Sequence, residues 1–308
     1  MKKTTRTPSI YDEITEKIIL ALEDGVIPWV RPWQAAQYGL IRNAFTNRPY
    51  RGMNTMLLTL VTTLKGFVDP RWLTFRNAEK LGGSIKRGEK GVHVIFWKFL
   101  PVRGKADDAG TPPDHDEAGD KKQKVIPFAR AYTVFNVEQC DGLDLPALTP
   151  NETIIKSNEL ADTILALPVL QHGGNRACYS PSADRITMPA RQTFENQDFY
   201  YSTAFHEIVH WTGHQTRLAR TFGNRFGDQD YAVEELVAEI GSAFLGSFAA
   251  IPFEEMRHPE YINDWLRIMK ADSKAIFTAA AKAQTATDFV LDKAGLASSE
   301  EENLPEAA

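Results

Sequence analysis

Apolar residues open the chain on a four-residue period. Ile10, Ile14, Ile18 and Leu22 fall on one helix face. Ser9 and Asp12 have the spacing of a capping box, and Gly25 supplies a stop. Pro28-Trp29-Val30-Arg31-Pro32-Trp33 then forces an extended or turning backbone, because proline fixes φ and restricts the residue before it. The pattern predicts short helices over 54–65, ended by Gly66, and over 74–81, ended by Gly82-Gly83. Ser84 to Gly91 reads as a basic, glycine-bearing loop. Residues 92–100 form a strand apolar on both faces, and 128–137 its partner. Residues 103–124 between them hold no Val, Ile, Leu, Met, Phe, Tyr or Trp. Such a stretch cannot offset its ordering entropy by burial, so it is expected to be a disordered insert in the hairpin.

Pro146 and Pro150 flank a short break that divides the chain into 1–146 and 151–308. Beyond it the pattern predicts a helix over 152–167 and a hairpin of 177–179 with 185–188. Helices are expected over 198–211, 231–248 and 259–283, followed by a frayed acidic tail after Leu296. Strands mixed with helices in each half give an α+β fold class for both.

A length of 308 residues suits two domains, and 43% hydrophobic with 24% charged residues suits a soluble protein with a real core. No apolar run reaches the ~18 residues of a membrane span, so no membrane partner is expected. The polar start leads into no apolar signal core, and two cysteines, Cys140 and Cys178, are too few for a disulfide scaffold. A cytoplasmic location is expected. The net charge of −5 hides a division: residues 1–100 carry +8 and residues 151–308 carry −10. Four of the six tryptophans lie in the basic part, which points to two modules with different partners.

His206-Glu207-Ile208-Val209-His210 is an HExxH sequence. Histidines at i and i+4 share a helix face, so both imidazoles can bind one divalent ion. Glu207, beside the first of them, is placed to take a proton from water and pass it to a leaving amine. A third ligand is needed. The pattern HExxHxxGxxH fails, because Thr216 stands where its last histidine would be. His214 lies beyond Gly213, where the helix should break. The better candidate is Glu235, on a helix beginning near Tyr231. Glu239 shares its face and can hydrogen-bond a ligating histidine from behind. Glu234 points elsewhere and is the fallback ligand. Zn²⁺ is the first choice of ion and Mn²⁺ the second.

In the basic half, aromatic rings that can stack on unpaired bases alternate with cations that can neutralise phosphates. The candidates are Trp29, Arg31, Trp33, Arg42, Tyr50 and Arg51, with Asn43 and Asn54 as base-edge donors or turn caps. Lys86, Arg87 and Lys90 form a second cluster. Trp72 and Trp97, in apolar surroundings, read as core.

Residues 152–285 resemble the zincin-like metallopeptidase domain of ArdC-type antirestriction proteins and related plasmid-transfer primases of the TraC type. The resemblance rests on Ala177-Cys178-Tyr179-Ser180-Pro181, the stretch from His206 to His214, and the stretch from Tyr231 to Glu239. Residues 10–143 resemble the amino-terminal single-stranded-DNA-binding domain of the same proteins. That match is carried by Tyr50-Arg51-Gly52-Met53-Asn54, Trp72-Leu73-Thr74-Phe75, Lys86-Arg87-Gly88-Glu89-Lys90-Gly91 and Phe135-Asn136-Val137-Glu138-Gln139. The resemblance implies a protein of mobile elements that protects incoming plasmid DNA from host restriction during conjugation. Its partners would be single-stranded DNA and a host protein cut by the peptidase. The competing expectation is a non-catalytic protein that coats single strands around a structural or vestigial metal site.

Overall fold

The computed structural model describes residues 9–30, 38–101, 125–149, 157–222, 229–251 and 261–297. Arg31, Trp33, the insert at 103–124, Pro150 and the tail beyond residue 297 lie outside them, as does the side chain of Trp97.

Helix α1 (Ile10–Glu23) starts on the expected capping box: the Asp12 N–H donates to Ser9 Oγ and the Ser9 N–H to the Asp12 carboxylate. The other α-helices and strands among the described residues of the first half are β1 (Arg42–Asn43), α2 (Gly52–Lys65), β2 (Arg71–Thr74), α3 (Phe75–Lys80), β3 (Ser84–Ile85), β4 (Val92–Pro101), β5 (Val125–Asn136) and β6 (Cys140–Asp141). Four strands make one sheet in the order β1-β2-β5-β4, and β3 pairs with β6 beside it. The long hairpin of β4 and β5 is antiparallel, with Val92 opposite Val134. Helix α2 begins two residues before the expected start and ends at Gly66, whose φ of 68° few side chains tolerate. It packs against β4.

In the second half the described residues start in α4 (Ser157–Leu165), which ends two residues before the expected 167, the expected start at 152–156 lying outside the described residues. A sheet of β7 (Val169–His172), β8 (Cys178–Ser180) and β9 (Arg185–Met188) follows in the order β7-β9-β8. The β8–β9 hairpin was anticipated and β7, parallel to β9, was not. Three of the four β7 residues are exposed, so no alternation marks it as a strand. Among the described residues four α-helices follow: α5 (Gln197–Thr212), α6 (Gln229–Ala249), α7 (Ile262–Ala271) and α8 (Ala275–Lys293). The single helix expected over 259–283 is in fact two. Asp272 turns extended, with ψ of 108°, and its carboxylate accepts the Lys274 N–H at 2.9 Å, which restarts the chain as α8.

The halves share one continuous apolar core. Helix α1 packs on α7. Thr15 Oγ1 donates to the Ser273 carbonyl at 2.7 Å, Tyr11 meets Phe277 edge-on, and Trp29 stands edge-on to Trp265 at 5.7 Å. The start of α2 seats on α8, where the Gly52 N–H donates to Gln284 Oε1 at 2.8 Å and Arg51 pairs with Asp288. No helix among the described residues is long and apolar enough to cross a membrane.

Candidate metal centre

Helix α5 is capped by Asn196, whose side chain accepts the Phe199 N–H at 2.8 Å. Tyr200, Ala204, Phe205, Ile208 and Val209 anchor it in the core. Helix α6 packs on it with a glycine at the contact: a Cβ on Gly241 would lie 2.8 Å from Val209 Cγ2. Val209 lies between the two histidines in sequence, so this close approach brings the carboxylates of α6 to the imidazoles of α5.

His206 Nε2 and His210 Nε2 lie 3.1 Å apart. Glu235 reaches both, at 3.3 Å and 3.7 Å respectively. The three donor atoms lie within 4.8 Å of one another, and all three residues are buried. Two imidazole lone pairs and a carboxylate oxygen turned toward one point repel unless a proton or cation lies between them. Two nitrogens and one oxygen form the donor set of a divalent ion, so the residues present fit a metal. Each histidine also has a carboxylate behind it. His210 Nδ1 is 3.2 Å from Glu234 Oε1, and His206 Nδ1 is 3.7 Å from Glu239 Oε1.

The electrostatics follow from this packing. Burial lowers the His206 imidazole. Burial opposes charge on His210 too, but the carboxylates of Glu234 and Glu235 outweigh it and hold the ring up to about 10. Burial would raise the Glu235 carboxyl, yet hydrogen bonds with His206 and His210 prevail and lower it. Glu234 is also lowered against its burial, by His210 and Arg220.

Arg220 escaped the sequence reading. The segment after α5 folds back, with the Arg220 N–H on the Gly213 carbonyl at 2.9 Å. The guanidinium donates to Glu234 at 2.8 Å, to Thr212 Oγ1 at 2.7 Å and to the Val209 carbonyl at 2.6 Å. Glu234 therefore does not point elsewhere, as its helical position had suggested. It bridges Arg220 and His210, and it is not one of the three converging donors. Glu239 faces His206 at a distance longer than a hydrogen bond. Glu207 is buried beside His206 and stands outside the converging set, as does His214, whose Nδ1 accepts the Thr216 N–H.

The candidate DNA residues of the first half are placed differently. Trp29 is 3% exposed and packs on Trp265, and Tyr50 is buried beside Phe96. Asn43 is buried and caps the turn at Phe45 and Thr46. Asn54 is buried and pairs with both backbone groups of Ile95, at 2.7 and 2.8 Å. Arg42 donates to the Tyr38 carbonyl, and Arg51 pairs with Asp288. The two rings and two amides are thus built into the fold, and Asn43 takes the turn-cap role that was its alternative to contacting a base. Lys86, Arg87 and Lys90 are exposed, and the Lys86 ammonium donates to the Glu138 carbonyl at 2.9 Å.

Residues 8–135 match the family model for the N-terminal domain of anti-restriction factor ArdC, and residues 160–282 match that for zincin-like metallopeptidases. The fold matches the metal-free crystal structure of the antirestriction ArdC protein from plasmid R388 with a TM-score of 0.72. Identity is 32%, over 94% of this chain and 98% of that one. The chain belongs to the ArdC antirestriction family. The Mn(II)-bound structure of the R388 ArdC protein matches with a TM-score of 0.71 and 34% identity, again over 98% of its length. Two proteins of Escherichia coli named DNA primase TraC are 38% and 37% identical over 290 residues. This ArdC-family chain spans 27% and 20% of their lengths. A Sinorhizobium fredii protein, y4eC, is 34% identical and matched over 94% of both chains.

Proposed function

We propose that this chain is a single-stranded-DNA-binding antirestriction protein with a metal-dependent peptidase centre, and that it protects plasmid DNA entering by conjugation. One observation carries the peptidase reading: the convergence of His206, His210 and Glu235, with the carboxylate of Glu207 left outside the donor set. These three residues would hold one divalent ion. Zn²⁺ suits the donor set, and Mn²⁺ is bound in the R388 structure. When bound, such an ion supplies Lewis acidity for attack on a carbonyl. Glu207 then serves as the base that takes the proton of the attacking water and returns it to the leaving amine. Glu234 and Glu239 orient the imidazoles from behind. The substrate of this chemistry would be a host protein.

The test separates metal, proteolysis and protection. Glu207→Ala should keep the ion and the fold and lose peptide cleavage, whereas His206→Ala should lose the ion as well. Both are compared with wild type for transfer of DNA into restricting and non-restricting recipients. The second reading, strand coating around a structural ion, draws on the burial of all three donor residues. Full protection by Glu207→Ala with loss of protection in His206→Ala would select it, and full protection by both would make the metal site vestigial; either outcome removes proteolysis from the mechanism.

A further inference from the structure

A cleft of about 1180 Å³ opens between the two halves, and none of the three metal donors lines it. One wall is the start of α2, Gly52 to Asn54, with Ile95 and Phe96 of β4. The opposite wall is one face of α8 and the residue before it, with Lys274, Phe277 and Lys282, and Tyr11 of α1 lies at its edge. The volume exceeds the range of pockets for drug-sized ligands.

The charge of this lining differs from that of the half it mostly belongs to. Its described residues include Arg51, Arg220, Lys274 and Lys282, and no Asp or Glu. Three of those cations come from the second half, whose net charge is −10. Arg220 is engaged by Glu234, and Arg51 by Asp288. The two lysines are exposed, and the Lys274 ammonium lies 5.4 Å from the Tyr11 ring centre. They stand eight residues apart on one helix face, about 12 Å along the axis. Phe96, Phe277 and Tyr11 are only half-buried, so each presents part of a ring to the cleft. The α2 N-terminus adds its partial positive charge. By contrast, the Lys86 loop carries Glu89, and the Lys86 ammonium lies 3.9 Å from Asp141.

We infer that single-stranded DNA lies in this cleft, with phosphates on Lys274 and Lys282 of the metallopeptidase half and bases against Phe96 and Phe277. The inference rests on the proposed strand binding and relocates it: the contacts come from both halves, not from the basic first half alone. Cations without carboxylates suit a polyanion, and flat apolar faces suit unpaired bases of any sequence.

The experiment uses the full chain and a fluorescein-labelled oligo(dT), read by anisotropy at about 50 and about 200 mM salt. The Lys274→Glu/Lys282→Glu variant should bind at least ~10-fold more weakly. Its log K against log[salt] slope should be shallower by about 1.4, the value for two lost phosphate contacts. Lys282→Gln alone should lose about 0.7 of slope, which guards against misfolding of the charge reversal. Phe277→Ala should weaken binding at least ~5-fold. Lys86→Glu/Arg87→Glu should change affinity by less than about threefold. Wild-type binding left unchanged by the cleft variants, in affinity and slope, would overturn the inference and leave strand binding intact. Wild type that does not bind oligo(dT) at low salt would overturn both. Lysine-dependent binding of poly-glutamate, with oligo(dT) binding unaffected, would reassign the cleft to an acidic polypeptide.

Discussion

The Glu234 carboxylate sits between a guanidinium and an imidazole, and all three groups are withdrawn from water. Removing one partner of a buried pair leaves the other charge without compensation. Arg220→Ala should therefore lower stability by about 3–5 kcal/mol, read from denaturant unfolding. It should also weaken metal binding about 10–100-fold, because the Glu234 carboxylate behind His210 loses the guanidinium that holds it in place. Glu235→Ala should abolish metal binding in a titration that Glu234→Gln only weakens. Equal loss in both would mean that Glu234 is itself a ligand. The histidine pair and Glu235 were legible in the sequence because i, i+4 spacing on two helices determines which side chains share a face. Arg220 was not, since its role depends on a segment folding back over the end of α5, and no periodicity reports that. The burial of Trp29 and Tyr50 was not legible for a related reason. Trp29 is covered by Trp265, more than two hundred positions away in the sequence.

Among elements, the contact of α5 and α6 sets the donor geometry. Gly241→Ala would put a methyl within 2.8 Å of Val209 Cγ2, deep in the core. Overpacking of this kind costs about 1–3 kcal/mol, and it should loosen the metal site without touching a ligand. The Gly241→Ala/Val209→Ala double variant relieves the clash and should recover metal affinity relative to Gly241→Ala. A pair of purely additive effects would argue that the helices do not set the site. The β8–β9 turn is tied to the segment after α5 by Arg217, which pairs with Asp184 and lies over Trp211. The Arg217 hydrogen bond holds the Asp184 carboxyl down to about 2, below its ordinary 3.8. Because the folded value is the lower one, the stabilisation is present above pH ~4 and lost as pH falls through ~2. Asp184→Asn should thus melt below wild type at neutral pH, and the gap should close on acidification. A gap constant with pH would remove the ion pair as its cause. The helix boundaries that local pattern recovered were those with strong caps, at Ser9 and Gly66. The break at Asp272 was missed because its signal is a single side chain accepting a backbone N–H two residues on.

At the scale of the molecule, the basic and acidic halves do not form independent cores. Trp265 is fully buried, donates to the Ala232 carbonyl at 2.9 Å and supports Trp29 from the other half. Trp265→Ala should cost about 3–5 kcal/mol and lower the melting temperature of both halves together. Tryptophan fluorescence, far-UV circular dichroism and metal release should trace one coincident transition. Two separated transitions would show that the halves unfold apart. A bound ion at a hundred times its Kd should raise stability by about 2.7 kcal/mol, and the shared core should transmit that gain to the first half. The charge division that suggested two modules is real, but charge records surface, and surface says little about which helices cover which.

Thr15 and Ser273 are hydrogen-bonded across 258 positions of sequence. Helix α1 is covered by α7 and α8, which are made long after it. At translation rates of about 5–20 residues per second, the apolar stripe of Ile14, Ile18 and Leu22 waits roughly 13–50 s for its partner. A chaperone that binds exposed apolar helix faces has that interval in which to act. A premature stop before α7 would yield a chain with α1 uncovered, prone to aggregation or proteolysis, in place of a free-standing DNA-binding half.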